Sequence, residues 1–232
     1  MTFTENRLVK MKKEKTYSKF IGFVSRLGET FLEPGKMFER LIAEKKGFLE
    51  PLVLVLIFHG VQGALIGSLI AKIIITIFAF LGSLLGIQNA IPSFVFVIPV
   101  ITAIVGIICT LLLWVILAGI AHIIAKYIFK GVGSFTQLFK LYGYASVPNI
   151  LAIFATLLMG VDFFAFLGYS LVLCFASIFW VVLIMVVAVE KSHQIDPGKA
   201  FISAFIGPVI ILLILLAFAG LFLSMLFGGI SL

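Results

Sequence analysis

From Pro51 onward the chain runs for 182 residues with only six basic and three acidic side chains. Its apolar blocks repeatedly reach about 20 residues, the length that crosses a hydrocarbon core of about 30 Å as a helix. Backbone N–H and C=O groups find no water in lipid, so each block must satisfy its own hydrogen bonds as a helix. Composition agrees. The chain is 62% hydrophobic and 12% charged, with mean hydropathy +1.28, whereas soluble domains are about 25% charged. The expected fold class is an all-α integral membrane protein.

The first span opens at Pro51 and runs to about Ala71. Residues 73–96 are read as an apolar extension of that helix along the outer surface, because a new span starting straight after Lys72 would need a hairpin without turn residues. The remaining spans are expected at Pro99–His122, Ser146–Gly160, Phe164–Val189 and Ala200–Phe227. Five spans with the N-terminus inside leave 16 of the 17 basic residues on the cytoplasmic side and Lys72 alone outside, as the positive-inside rule requires. The C-terminus is then outside. The expected location is a prokaryotic cell membrane.

Residues 1–48 form a basic cytoplasmic segment and residues 49–232 a five-span domain. The first 50 residues hold 11 of 17 Lys/Arg and 7 of 10 Asp/Glu. The net charge of +7 is therefore mostly a topology signal and does not point to nucleic acid. Tyr17, Phe20, Ile21, Val24 and Leu27 recur at helical spacing, with Lys19, Ser25 and Arg26 off that face, so a surface helix is expected there, either packed on the protein or lying in the headgroups. After Pro34-Gly35 a second short helix presents Met37, Phe38, Leu41 and Ile42 and ends at Lys45-Lys46-Gly47. No apolar signal-peptide core occurs in this segment, so the first span serves as insertion signal. Cys109 and Cys174 sit inside apolar runs and read as small apolar fillers rather than a disulfide.

Polar residues inside the spans are few. His59, Gln62, Gly63 and Gly67 lie at i, i+3, i+4 and i+8, which makes one side of the first span small and polar, a side suited to helix packing. His59 is expected to bond to a neighbouring helix. Asp162 reads as a solvated loop charge, Asp196-Pro197 as the start of the fifth helix, and Gly207-Pro208 as a kink within it.

The main polar interruption is Lys126 to Pro148. Ser134 followed by Gln137 fits a capping box, and Phe135, Leu138, Phe139 and Tyr142 then share one helical face. An interfacial helix over Ser134–Tyr142 is expected, with Gly143-Tyr144 and Pro148 setting the angle of the third span and Ser146 as its N-cap. Gly133, Ser134, Phe135 and Gln137, then Tyr142, Gly143, Tyr144 and Pro148, resemble the loop motif of the Yip domain family, multi-pass membrane proteins named for interacting with Ypt/Rab GTPases. Pro34 to Leu41 resembles the segment before the first span in prokaryotic members. The Asp-Leu-Tyr-Gly-Pro element of eukaryotic trafficking members is absent, which points to the prokaryotic branch. The resemblance implies that the motif loop is an interaction loop.

No catalytic constellation occurs. His59, His122 and His193 have no metal-ligand spacing, neither cysteine has a Cys-x-x-Cys partner, and no phosphate-binding glycine loop is present. No cofactor or metal is expected. Two readings remain: a non-enzymatic membrane scaffold or adaptor, implied by the resemblance, and a small transporter or channel whose polar line runs through His59, Gln62 and Pro208. Expected partners are the lipid bilayer and an unidentified membrane or cytoplasmic protein, with a homo-oligomer left open and nucleic acid excluded.

Overall fold

The computed structural model describes residues 21–44, 47–85 and 93–228, and every described element is helical. The expectations for residues 1–15, Tyr17, Phe20, Lys45-Lys46 and Gln88 to Pro92 lie outside those residues. Helix α1 covers residues 21–32, α2 Pro34–Ala43, α3 Leu49–Leu85, α4 Ile98–Ile123, α5 Phe135–Gly143, α6 Asn149–Val161, α7 Phe163–His193, α8 Pro197–Phe201 and α9 Gly207–Gly228. A 3₁₀ turn, Ser93–Val97, leads into α4, and a π-helical turn, Ile124–Ile128, extends it. Five helical stretches are long and apolar enough to cross a membrane: Leu49–Leu85, Phe94–Ile128, Phe135–Val161, Phe163–His193 and Pro197–Phe218.

Helix α3 passes Lys72 without a break and continues to Leu85. Its 37 residues measure about 55 Å at 1.5 Å per residue, so the apolar stretch after Lys72 extends the first helix and forms no separate span within the described residues. Helices α3 and α4 pack antiparallel with their backbones in contact. A Cβ added at Gly63 would lie 2.7 Å from the Thr102 carbonyl oxygen and 2.8 Å from Ala103 Cα, and one at Gly67 would lie 2.7 Å from Pro99 Cα. Glycine is needed here for close approach. In that register Phe94 is level with the turn at Lys72, and the two helices overlap over about 24 residues, roughly 35 Å, close to one hydrocarbon thickness. The remainder of α4 and its π-helical turn stand beyond the start of α3 at the basic end.

That basic end is a densely packed head. Its core joins Met37, Phe38 and Leu41 of α2, Leu54 of α3, Trp114, Ala118 and Ala121 of α4, Leu138 and Leu141 of α5, and Ile184 and Ala188 of α7. The spans themselves leave most of their apolar surface outward, as expected where lipid is the solvent. Helix α1 joins both environments: Phe23, Leu27 and Phe31 pack on the core, whereas Ile21, Val24 and Leu32 stay exposed. Ion pairs tie the N-terminal helices down, Arg26 to Glu50 of α3 and Glu39 to Lys191 of α7 at 2.8 Å.

Two local expectations need correction. Ser146 does not cap the third span. It sits in a 3₁₀ turn, Tyr144–Ser146, with its hydroxyl donating to the Gly143 carbonyl, and Pro148 occupies the cap position of α6. Proline suits that position because its missing N–H has no partner to lose at a helix start. Asp162 is more than a loop charge. Its carboxylate accepts from the Ala165 N–H at 3.0 Å and caps α7, which satisfies one of the open donors of the first turn. Asp196 caps α8 as expected, accepting from Gly198 and Lys199. Ahead of Gly207-Pro208 the helix opens into a π-helical turn, Ile202–Ile206. The wider turn accommodates a ring that would otherwise meet the carbonyl four residues back.

Candidate functional site

The loop from Lys126 to Pro148 is built from the end of α4 inward. Lys130 takes a left-handed conformation, φ 61°, and turns the chain back onto the end of α7. There the Val132 N–H donates to the His193 carbonyl at 3.0 Å and the Gly131 N–H to Ala125 at 2.9 Å. Gly131 and Gly133 lie flat on α7, where a Cβ at Gly131 would meet His193 Cβ at 2.8 Å and one at Gly133 would meet the ring at the same distance. His193 is fully buried. Its Nε2 is 2.8 Å from His122 Nδ1, and its Nδ1 is 2.8 Å from the Ser192 hydroxyl. One shared proton between the rings suffices for that bond.

Ser134 then caps α5 as the spacing predicts, its hydroxyl accepting from the Gln137 N–H at 3.3 Å. The helix does not lie on a surface with its aromatics outward. Leu138, Leu141 and Tyr142 are buried in the head, and Phe139 stacks between Trp114 and Phe135 while its carbonyl accepts from Trp114 Nε1 at 2.9 Å. The apolar face that resembled a membrane anchor is spent on protein contacts instead. Gly143 is another close approach. A Cβ there would lie 2.5 Å from Pro51 Cβ and 2.9 Å from Trp114 Cζ2.

Tyr144 is buried, and its hydroxyl donates to Glu50 Oε1 at 3.0 Å. The same carboxylate takes two bonds from the Arg26 guanidinium, at 2.6 and 2.7 Å. Glu50 therefore links α1, α3 and the motif loop, and its carboxylate raises the Arg26 guanidinium above its ordinary value. Pro148 is buried and its carbonyl accepts from Ser177 of α7 at 3.0 Å. Of the eight motif residues, Gly133, Tyr142, Gly143, Tyr144 and Pro148 are buried in the seam between the head and the spans, whereas Ser134 and Phe135 are exposed and Gln137 is half-buried.

Within the spans, His59 Nε2 is 3.0 Å from Asn149 Nδ2, and Gln62 Nε2 donates to Thr156 at 2.8 Å. Both partners are on α6, while Gly63 and Gly67 face α4. The polar and the small halves of the predicted side thus serve different neighbours. Pro208 is not beside His59 and Gln62, since the residue before it packs on Ile124 at the basic end of α4. Cys109 and Cys174 are free, and among the described residues no group of three or more His, Cys, Asp or Glu is placed to hold a metal.

An open cavity of about 480 Å³ lies between α2 and α5. Leu41, Ile42, Pro51 and Leu141 line it together with Ser134, Thr136, Gln137, Lys140 and Tyr144. Sequence reasoning missed Arg26, Glu50 and the His122–His193 contact. A weak signal existed for Glu50, an acid in the first turn ahead of an apolar run, where a helix N-terminus favours negative charge. The two histidines are 71 positions apart, and no spacing rule joins them.

The sequence was compared with known proteins. Over 129 residues it is 30% identical to "Uncharacterized protein MJ0794" of Methanocaldococcus jannaschii, covering 56% of this chain and 84% of that one. No solved structure matches. The sequence also matches the Yip1 domain over residues 28–219, a range that takes in α2, the motif loop and all five spans, so this chain belongs to the Yip1 domain family.

Proposed function

We propose that the protein is a non-enzymatic membrane scaffold or adaptor that presents its basic head to a partner protein. One observation carries this reading. Tyr127, Ile128 and Val132 are each more than 60% exposed on a backbone fixed by the His193 and Ala125 bonds. Lys126 and Lys130 flank them. Tyr127 and Ile128 close the apolar stretch Phe94–Ile128, and Val132 follows just beyond it, so the patch stands at the basic end of the spans. An exposed apolar patch beside lysines on a fixed backbone suits a protein contact. The intramembrane polar groups support the same reading, because His59 pairs with Asn149 and the Gln62 amide N–H with Thr156.

The test is capture of a partner from native membranes with a photo-crosslinker at position 127, compared with the yield of monodisperse protein. Tyr127→Ala and Val132→Ser should lose the crosslinked species while folded yield is unchanged. Tyr144→Ala should lose both in proportion, since its side chain is internal. Saturable solute flux in liposomes holding the purified protein would overturn the scaffold reading and favour a transporter.

A further inference from the structure

Lys72 closes the part of α3 that overlaps α4, about one hydrocarbon thickness from the basic head, and the helix beyond it carries no charge to Leu85. Ile73 and Ile77 are each about half exposed there, and Lys72 is exposed as well. Its Nζ donates to the Gly160 carbonyl at 2.8 Å, one of the open carbonyls at the end of α6. That partner is neutral and uses one of the three ammonium donors. Among the described residues Lys72 forms no ion pair. The nearest carboxylate along the chain from Gly160 is Asp162, which accepts from the Ala165 N–H at 3.0 Å and makes no ion pair with Lys72. The charge of Lys72 is thus held in place by the protein but not neutralised by it.

Lys72 lines an open groove of about 320 Å³ between α3, α6 and α7. Ile73, Ile77, Met159 and Phe164 make the groove mostly apolar, and none of the described residues that line it is acidic. A cation with apolar surface before and after it along a membrane helix is costly unless an opposite charge reaches it. At this depth the anion that a bilayer offers is the phosphate of a lipid headgroup, and the same molecule carries the chains that match an apolar wall. The volume falls within the range of small-ligand sites, about 300–1,000 Å³. We propose that this groove holds an anionic phospholipid of the leaflet opposite the head, with its phosphate on Lys72 and its upper acyl carbons in the apolar part of the groove. The site stands at the other end of the spans from Tyr127 and does not depend on any protein bound there.

The test uses the full-length protein in a non-ionic detergent with phosphatidylglycerol that carries a photoactivatable diazirine in one acyl chain, and the labelled peptides are identified by mass spectrometry. Label should fall on residues 69–77 and 159–164, and unlabelled phosphatidylglycerol should compete for it better than phosphatidylcholine or inorganic phosphate. Lys72→Gln keeps a donor for the Gly160 carbonyl but removes the charge, and it should weaken binding about tenfold, the effect of losing one charge-assisted contact. Lys72→Arg should retain binding. Thr76→Trp, at an exposed position of the lining, keeps the ammonium and should lower labelling by filling the groove. Lys36→Gln, an exposed charge on α2 in the head, should leave it unchanged. The lipid-free thermal midpoint of each variant checks its folding. Full labelling in a folded Lys72→Gln or Thr76→Trp overturns the proposal, as does equal competition by phosphatidylcholine. Competition by inorganic phosphate as strong as by the lipid overturns it too, since the apolar wall would then play no part.

Discussion

The Tyr144 hydroxyl donates to Glu50 Oε1 at 3.0 Å, joining residues 94 positions apart. Glu50 begins the first span and Tyr144 precedes the third, so this bond and the Arg26 pair fix the head against two spans at once. Tyr144→Phe should remove one bond to a charged group, costing about 1.5 kcal/mol and lowering the thermal midpoint in detergent by roughly 3–6 °C. Tyr144→Ala should cost about 3 kcal/mol or more, because it also empties a buried site. Equal midpoints for wild type and Tyr144→Phe would show that the bond contributes nothing to stability.

Gly63 and Gly168 give opposite expectations for the same substitution. A Cβ at Gly63 meets the α4 backbone at 2.7 Å, whereas one at Gly168 meets nothing within 4 Å. Gly63→Ala should therefore destabilise by about 1–3 kcal/mol, and Gly63→Leu by more. Gly168→Ala should be neutral or stabilising by about 0.5–1 kcal/mol, the helix preference of alanine over glycine. Thermal midpoints of the three variants in one detergent decide the matter, and a tolerated Gly63→Leu would mean that α3 and α4 are not in contact there.

Asp196 makes the stability of the fifth span's start depend on pH in a defined direction. The Lys199 N–H, together with the Lys199 side chain and the Gly198 N–H, holds its carboxyl below the ordinary carboxylate range. A depressed folded value means that the stabilisation is fully present above the unfolded value, about 3.9, and is lost as pH falls through the folded one. The midpoint gap between wild type and Asp196→Ala should be constant near neutrality and close only below about pH 4. A gap that stays the same down to pH 3 would refute the cap's charge dependence.

The distribution of basic residues predicts that the head faces the cytoplasm and the C-terminus lies outside. A cysteine placed at Thr136, an exposed position on α5, should resist a membrane-impermeant thiol reagent on intact cells and react after lysis. A C-terminal tag should be removed by external protease. Labelling of position 136 from outside would invert the orientation.

Much of the architecture was legible in local sequence because local sequence is what specifies it. Span positions follow from the cost of exposing backbone in lipid. The Ser134 and Asp196 caps follow from side chains two or three residues from the donors they satisfy, and the unbroken helix past Lys72 follows from the lack of any turn residue. The amphipathic pattern of α5 was equally visible, but a pattern states only that one face is apolar. It does not say whether lipid or protein covers that face, and here Trp114 and Phe48 do.

What only the tertiary structure decided are the pairings between distant segments: Glu50 with Arg26 and Tyr144, His122 with His193, His59 with Asn149, and Gly63 with the backbone at Thr102. Each depends on the register of helices that are far apart in the chain, and register is set by the packing of many side chains together. Arg26 illustrates the reason. Off the apolar face of its own helix it reads as solvent-exposed, yet the docking of α1 places a carboxylate opposite it, and a charge paired in this way is stable where an unpaired one would not be.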